Sequence, residues 1–230
     1  MSEHLEAEFR KKLVICHKLI HHFGWDDLIS MHLSCKLPNE EKILITPDGV
    51  MFNQITEEKL ILVDLEGTSV VDNGYKPMAQ GTNIHCTLHR KNPNIGAIMH
   101  THSIDAVAVS SLKDGLLFTN QSSLRFYNRI AYHQFSGLAL DNEGEEISKS
   151  LKNNHAMILR NHGILTVGKT IEEAFYRLYY LEKSCTTQIK TLSMGLEINP
   201  IAKALCEFTA NQLEKVVSPD IAFNELVKLI

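Results

Sequence analysis

Positive charge is in deficit in this sequence: 23 Lys and Arg stand against 27 Asp and Glu, for a net charge of −4. Nucleic-acid-binding domains carry a basic surplus or stripe, so no nucleic-acid partner is expected. No apolar run approaches the 18 or so residues of a membrane span. The first segment, MSEHLEAEFRKK, lacks the apolar stretch of a secretory signal. A cytoplasmic protein without a membrane partner is the expectation. Glycine (12) and proline (6) are too few for a fibre. Cysteine is sparse and odd in number: Cys16, Cys35, Cys86, Cys185 and Cys206, with no CxxC pair. Such a set reads as reduced thiols, mostly small core residues. What is present is 44% hydrophobic and 22% charged over 230 residues, enough for a core without staples. One residue type is plentiful: there are 12 His.

Periodicity divides the chain into intermixed helices and strands with no repeat and no linker. Leu5, Phe9, Leu13, Cys16 and Ile20 recur at helical spacing. Strands are expected within 28–37, 42–46, 60–64, 95–102, 116–119, 130–134, 156–159 and 164–167. Thr56, followed by Glu57 and Glu58, reads as a helix N-cap. Thr82 is expected to cap a helix to Arg90, Ser103 another to Leu112. A further helix is expected from the turn at Asp141 to Asn153. Thr170 and Glu173 form a T-x-x-E capping box. After them Ile171, Ala174, Phe175, Leu178, Leu181, Cys185, Ile189 and Leu192 trace one apolar face. The tail reads as helical after Pro200 and after Pro219. One α/β domain over 1–230 is the expected organisation.

His100 and His102 sit at i and i+2 in the 95–102 strand, where alternate side chains share a face. The spacing suits two ligands of one metal ion. His162 lies in an Asn-His-Gly turn after another strand, with Gly163 expected to permit a sharp turn. Three imidazoles would favour zinc, or Mn, Co or Fe. His85 and His89, at i and i+4 on a helix, are an alternative pair, or one half-exposed helix face. His4, His21 and His22 read as surface residues.

Five blocks in order resemble the class II aldolase/adducin family. They are 24–34 (GWDDLISMHLS), 45–49 (ITPDG), 85–93 with His100-Thr101-His102, Arg160-Asn161-His162-Gly163, and Glu172-Glu173-Ala174. The resemblance covers about 5–195, leaving a helical tail over 196–230. It implies a three-layer α/β/α fold around a mixed sheet, often a ring-shaped homotetramer. It also implies a divalent ion, Zn2+ by default, on His100, His102 and His162. There the ion would polarise a carbonyl of a small hydroxy-carbonyl or sugar-derived substrate in a lyase-type reaction.

The departures from the aldolases are specific. Their acid/base position falls on Gly81. Two serines that hold a substrate phosphate fall on Ala79 and Gln80, and a Gly-Asn pair falls on Met31-His32. A Tyr of the fuculose enzyme falls near Ser122. Replacement chemistry could come from Asp105, Tyr132 or His133. Substrate contacts could come from His32, Gln80 or Arg125, the last through a carboxylate. The alternative is a non-catalytic, adducin-like assembly module whose metal site is structural or vestigial. Actin binding is not expected, since the adducin neck and basic tail are missing before the chain ends at Ile230. The apolar tail residues Leu205, Phe208, Leu213, Ile221, Phe223 and Leu226 suggest self-assembly.

Overall fold

Seven strands form one mixed sheet in the order β3-β2-β1-β4-β7-β6-β5. The computed structural model describes residues 2–137 and 142–230. The strands are β1 (His32–Lys36), β2 (Lys42–Ile45), β3 (Ile61–Asp64), β4 (Ala97–Thr101), β5 (Ile130–His133), β6 (Ala156–Leu159) and β7 (Gly163–Gly168). Every neighbouring pair is antiparallel except β5 and β6. The helices are α1 (Ser2–His22), α2 (Ala79–Lys91), α3 (Ile104–Ser110), α4 (Glu143–Leu151), α5 (Ile171–Ser193), α6 (Lys203–Lys215) and α7 (Pro219–Leu226).

Strand alternation sorts the helices into two layers. Leu33, Cys35, Ala97 and Met99 point to one face, where they bury against α1, α3, α5 and α7 through Leu13, Val109, Phe175 and Phe223. Ile98, Met157 and Leu165 point to the other face and meet α2 and α4 through Ile84, Leu88, Ile147 and Leu151. This is the three-layer α/β/α arrangement. By the same alternation His32, Ser34 and His100 belong to the α2 face, and Thr101 to the α5 face.

The α5 start forms as its sequence dictates. The Thr170 hydroxyl accepts from the Glu173 N–H at 3.2 Å. The Glu173 carboxylate accepts from the Lys169 N–H, one residue before the cap. Ser103 caps α3 by accepting from the Ala106 N–H.

Several expected elements take another form. Thr56 starts a turn, because Ile61–Asp64 is drawn into the sheet beside β2 before a helix can extend. Thr82 lies inside α2, which begins at Ala79; its hydroxyl donates to the Met78 carbonyl. Residues 116–119 find no strand partner and run as irregular backbone. Leu28 sits in a turn at φ +48°, so β1 starts only at His32. The expected start of the 141–153 helix at Asp141 lies outside the described residues. The tail is helical as expected. Leu213 and Phe223 are buried within this chain, whereas Leu205, Phe208 and Ile221 stay exposed. No helix among the described residues is long and apolar enough to cross a membrane.

Candidate metal centre

His100 stands near the end of β4 and His102 just beyond it. Between them Thr101 points the other way and donates a 2.7 Å hydrogen bond to the Glu182 carboxylate of α5. Ser103 donates to the second oxygen of the same carboxylate. Glu182 therefore ties both chain neighbours of His102 to α5. Burial raises its carboxyl to about 7.

His162 arrives from the β6–β7 connection. The left-handed residue of that turn is Asn161, at φ +57°, a conformation Asn tolerates better than most residues. Gly163 has a different purpose from the one expected. A Cβ there would lie 2.4 Å from the Thr101 carbonyl oxygen and 2.9 Å from His102 Cδ2. Gly163 thus lets the turn close onto β4.

The ligand nitrogens of His100, His102 and His162 all lie within 4.8 Å of one another. His100 Nδ1 lies 2.8 Å from the Ile164 carbonyl, which can only accept, so Nδ1 carries the proton and Nε2 a lone pair. His102 Nδ1 faces the Asp27 carboxylate at 3.3 Å, with the same consequence. The two Nε2 atoms then face each other at 2.8 Å. Two lone pairs at that distance call for a shared cation. The outer partners, a backbone carbonyl and a carboxylate, are the kind that orient metal-bound histidines. Burial, then neighbouring imidazoles, keep His100 well below its ordinary pKa and bring His162 to about 4. Neutral imidazole is the form a metal requires. The residues fit a divalent ion.

A small cleft opens beside His162, lined also by His133, Glu143 and Arg160. His133 Nδ1 pairs with Ser150 Oγ at 3.0 Å. Gln80 donates to the Glu143 carboxylate at 2.7 Å. Of the other expected site residues, Asp105 lies on α3, which packs on α5. The Tyr132 hydroxyl accepts from the Leu116 N–H, and its ring lies under Arg160. Arg125 stacks 3.9 Å over the Tyr180 ring and lines a separate cavity of about 280 Å³ with Tyr176 and Arg177. Asp27, Glu143 and Glu182 were missed as site residues. Asp27 alone had a signal, lying in the GWDDL block.

His85 and His89 are fully buried, not a half-exposed helix face. They point from α2 onto β1, where His85 bonds His32 and Ser34, and His89 bonds Ser34. His32 occupies the room that Gly81 leaves: a Cβ at position 81 would lie 2.7 Å from His32 Cδ2. The imidazole is pinned by His85 and cannot retreat. Gly81→Ala is therefore expected to cost about 1–3 kcal/mol through overpacking. A urea titration checks this, and an unchanged midpoint would show that the ring yields freely.

The layered fold and the three converging imidazoles define an α/β/α protein with a histidine triad that could hold a metal ion. The profile described as Class II Aldolase and Adducin N-terminal domain matches residues 11–189, and the chain belongs to the class II aldolase/adducin family. It is similar to an aldolase II superfamily protein from Pseudomonas syringae of known structure, at 36% identity and TM-score 0.92, covering 99% of this chain and 93% of that one. It is similar to the L-fuculose 1-phosphate aldolase from Glaciozyma antarctica, at 29% identity and TM-score 0.84, covering 97% and 90%. Rat alpha-adducin is 34% identical over 194 residues, which are 82% of this chain and 26% of that protein's length.

Proposed function

We propose that this protein is a divalent-metal-dependent enzyme of the lyase type, working as one domain over 1–230. Its substrate would be a small hydroxy-carbonyl or sugar-derived compound. The observation that carries the reading is the pair of Nε2 lone pairs of His100 and His102, opposed at 2.8 Å with their outer nitrogens already committed. His162 completes the ligand set. A divalent ion held there, zinc by default, supplies Lewis-acid polarisation of a substrate oxygen. Around it, Asp27 and the Ile164 carbonyl hold the imidazole rings, and His133 and Glu143 offer polar contacts in the cleft. Asp105 and Tyr132 remain the further acid/base candidates, whereas Arg125 lines the separate cavity beside Tyr180. The likeness to a fuculose-phosphate aldolase supports carbon–carbon cleavage as the reaction class. The proposed assembly is a cytoplasmic homotetramer, supported by the family and by the exposed Leu205, Phe208 and Ile221.

The competing reading is a non-catalytic module like the corresponding part of alpha-adducin, favoured by Gly81. Ion binding and turnover separate the two. The full chain is expected to bind about one zinc ion, at roughly 2.0–2.1 Å per imidazole. His162→Ala is expected to abolish tight binding, and Asp27→Asn to weaken it roughly 10–100-fold. Titration calorimetry with zinc reads both. Equal affinity in all three proteins would remove the metal centre from the reading. Tight zinc binding without cleavage of any hydroxy-carbonyl compound tested would favour the module.

A further inference from the structure

Between β1 and α2 runs a chain of buried groups that the metal centre itself does not use: His89, Ser34, His85 and His32. Its hydrogen-bond polarity can be worked out link by link. The Ile95 carbonyl can only accept, so His89 Nδ1, 3.0 Å away, donates. Burial holds His89 neutral, which leaves a lone pair on its Nε2. That nitrogen accepts the one proton of Ser34 Oγ, at 2.9 Å. With its proton spent, Ser34 Oγ accepts from His85 Nδ1–H at 2.6 Å. His85 Nε2 is then a lone pair, and it accepts from His32 Nδ1–H at 2.8 Å. His32 is left with its lone pair on Nε2, and this atom makes no hydrogen bond to any described residue.

The place where the chain ends is also defined. His32 pairs in register with His100 across β1 and β4, and their rings lie 4.8 Å apart between centroids. Its Nε2 lies 3.2 Å from where a Cβ on residue 81 would stand. Three fully buried polar side chains, Ser34, His85 and His89, are costly to keep away from water unless every link is satisfied. Here every link is satisfied in one direction only.

We infer that His32 is a substrate-contacting residue whose Nε2 accepts a hydrogen bond from a hydroxyl of the substrate, and that His85, Ser34 and His89 are positioning residues that fix this tautomer. The inference deepens the proposed function and rests on the triad being where substrate binds. It narrows the substrate to compounds that present a hydroxyl proton beside the oxygen that an ion on the triad would polarise. A carboxylate or phosphate oxygen turned to that position would meet a lone pair. The relay thus acts as a chemical filter, set by the Ile95 carbonyl in the connection between α2 and β4.

Two-dimensional NMR of the full-length protein labelled with 15N-histidine reads tautomers directly. His32, His85 and His89 are each expected to show a protonated Nδ1 and an unprotonated, pyridine-type Nε2. In the zinc-loaded protein, hydroxyacetone is expected to shift the His32 Nε2 resonance, and methoxyacetone, which lacks the hydroxyl proton, to leave it in place. Ser34→Ala cuts the chain, so His32 is expected to populate the Nε2–H tautomer and lose the discrimination. An Nε2–H tautomer of His32 in the unmodified protein would overturn the inference, whether or not Ser34→Ala folds. So would equal responses to the two probes. Zinc binding is scored separately by titration. Loss of the metal reading with intact tautomers, and loss of the tautomers with intact metal binding, are therefore distinguishable results.

Discussion

Between pH 7 and pH 5 the protein is expected to lose most of its folding stability. Five imidazoles are buried away from water: His17, His32, His85, His89 and His100. Desolvation lowers all five, to about 4 for His17 and His89, about 3 for His32, and below the ordinary value for His85 and His100. Below pH 6.5 the unfolded chain takes up protons on these residues and the folded chain does not, so stability falls as pH falls. At pH 5 each fully depressed histidine removes about 2 kcal/mol. His17, His32 and His89 alone then remove about 6 kcal/mol from a total of roughly 5–15 kcal/mol for a typical domain.

Glu182 works in the opposite direction. Its folded carboxyl, raised to about 7, carries a penalty that is absent at low pH and grows as pH rises from its unfolded range toward 7. Acidification from pH 7 to 5 returns about 2 kcal/mol. The histidines win by about 4 kcal/mol before His85 and His100 are counted. Urea unfolding followed at Trp25 fluorescence, at pH 7.5 and pH 5.0 with chelator present, measures this. A midpoint that does not move would mean the imidazoles are far better solvated than their burial implies.

Phosphorylated sugars are expected to be poor substrates, by two or more orders of magnitude against unphosphorylated hydroxy-carbonyl analogues. A phosphate needs aimed donors to offset its desolvation. Ala79 has none, and Gln80 spends one of its two amide N–H donors on the Glu143 carboxylate. Glu143 itself is a buried carboxyl group that lines the cleft beside His162. An incoming phosphate would meet a carboxyl oxygen where a donor is needed. Steady-state assays of zinc-loaded protein on fuculose 1-phosphate and on fuculose-like sugars without phosphate compare the two. Turnover of the phosphate ester in the roughly 1–10³ s⁻¹ range of ordinary enzymes would refute the expectation. Gln80→Ser, which removes the contact to Glu143, would then be the informative variant.

Local pattern reached the elements with a strong period and the candidate ligands that lie close in sequence. The apolar stripe of α5 and its Thr170 cap were legible, because helix packing repeats every few residues and capping is local chemistry. His100 and His102 were legible as a pair because strand alternation places them on one face. Thr56 failed as a helix start because tertiary pairing of β3 with β2 overrode a local signal. The partners of the triad were out of reach for a similar reason. Asp27 meets His102 across 75 residues and Glu182 meets Thr101 across 81, distances on which spacing is silent. His85 and His89 showed their helical spacing but not their burial. That depends on Ser34 and His32 facing α2, which follows only from the register of β1 on β4.

The pairing of β4 with β7 is the seam of the molecule. Strands β1 to β4 come from the first part of the chain, β5 to β7 from the later part, and the sheet is joined where Thr101 meets Ile164. His100 and His102 stand on one side of that seam and His162 on the other. During folding this closure is a long-range event, slow relative to the hairpins on either side. A nascent chain that has made only its first four strands holds two of the three nitrogens and half a site. An ion held by the triad would therefore be captured late on the folding path, and would act as a clasp across the last joint to close.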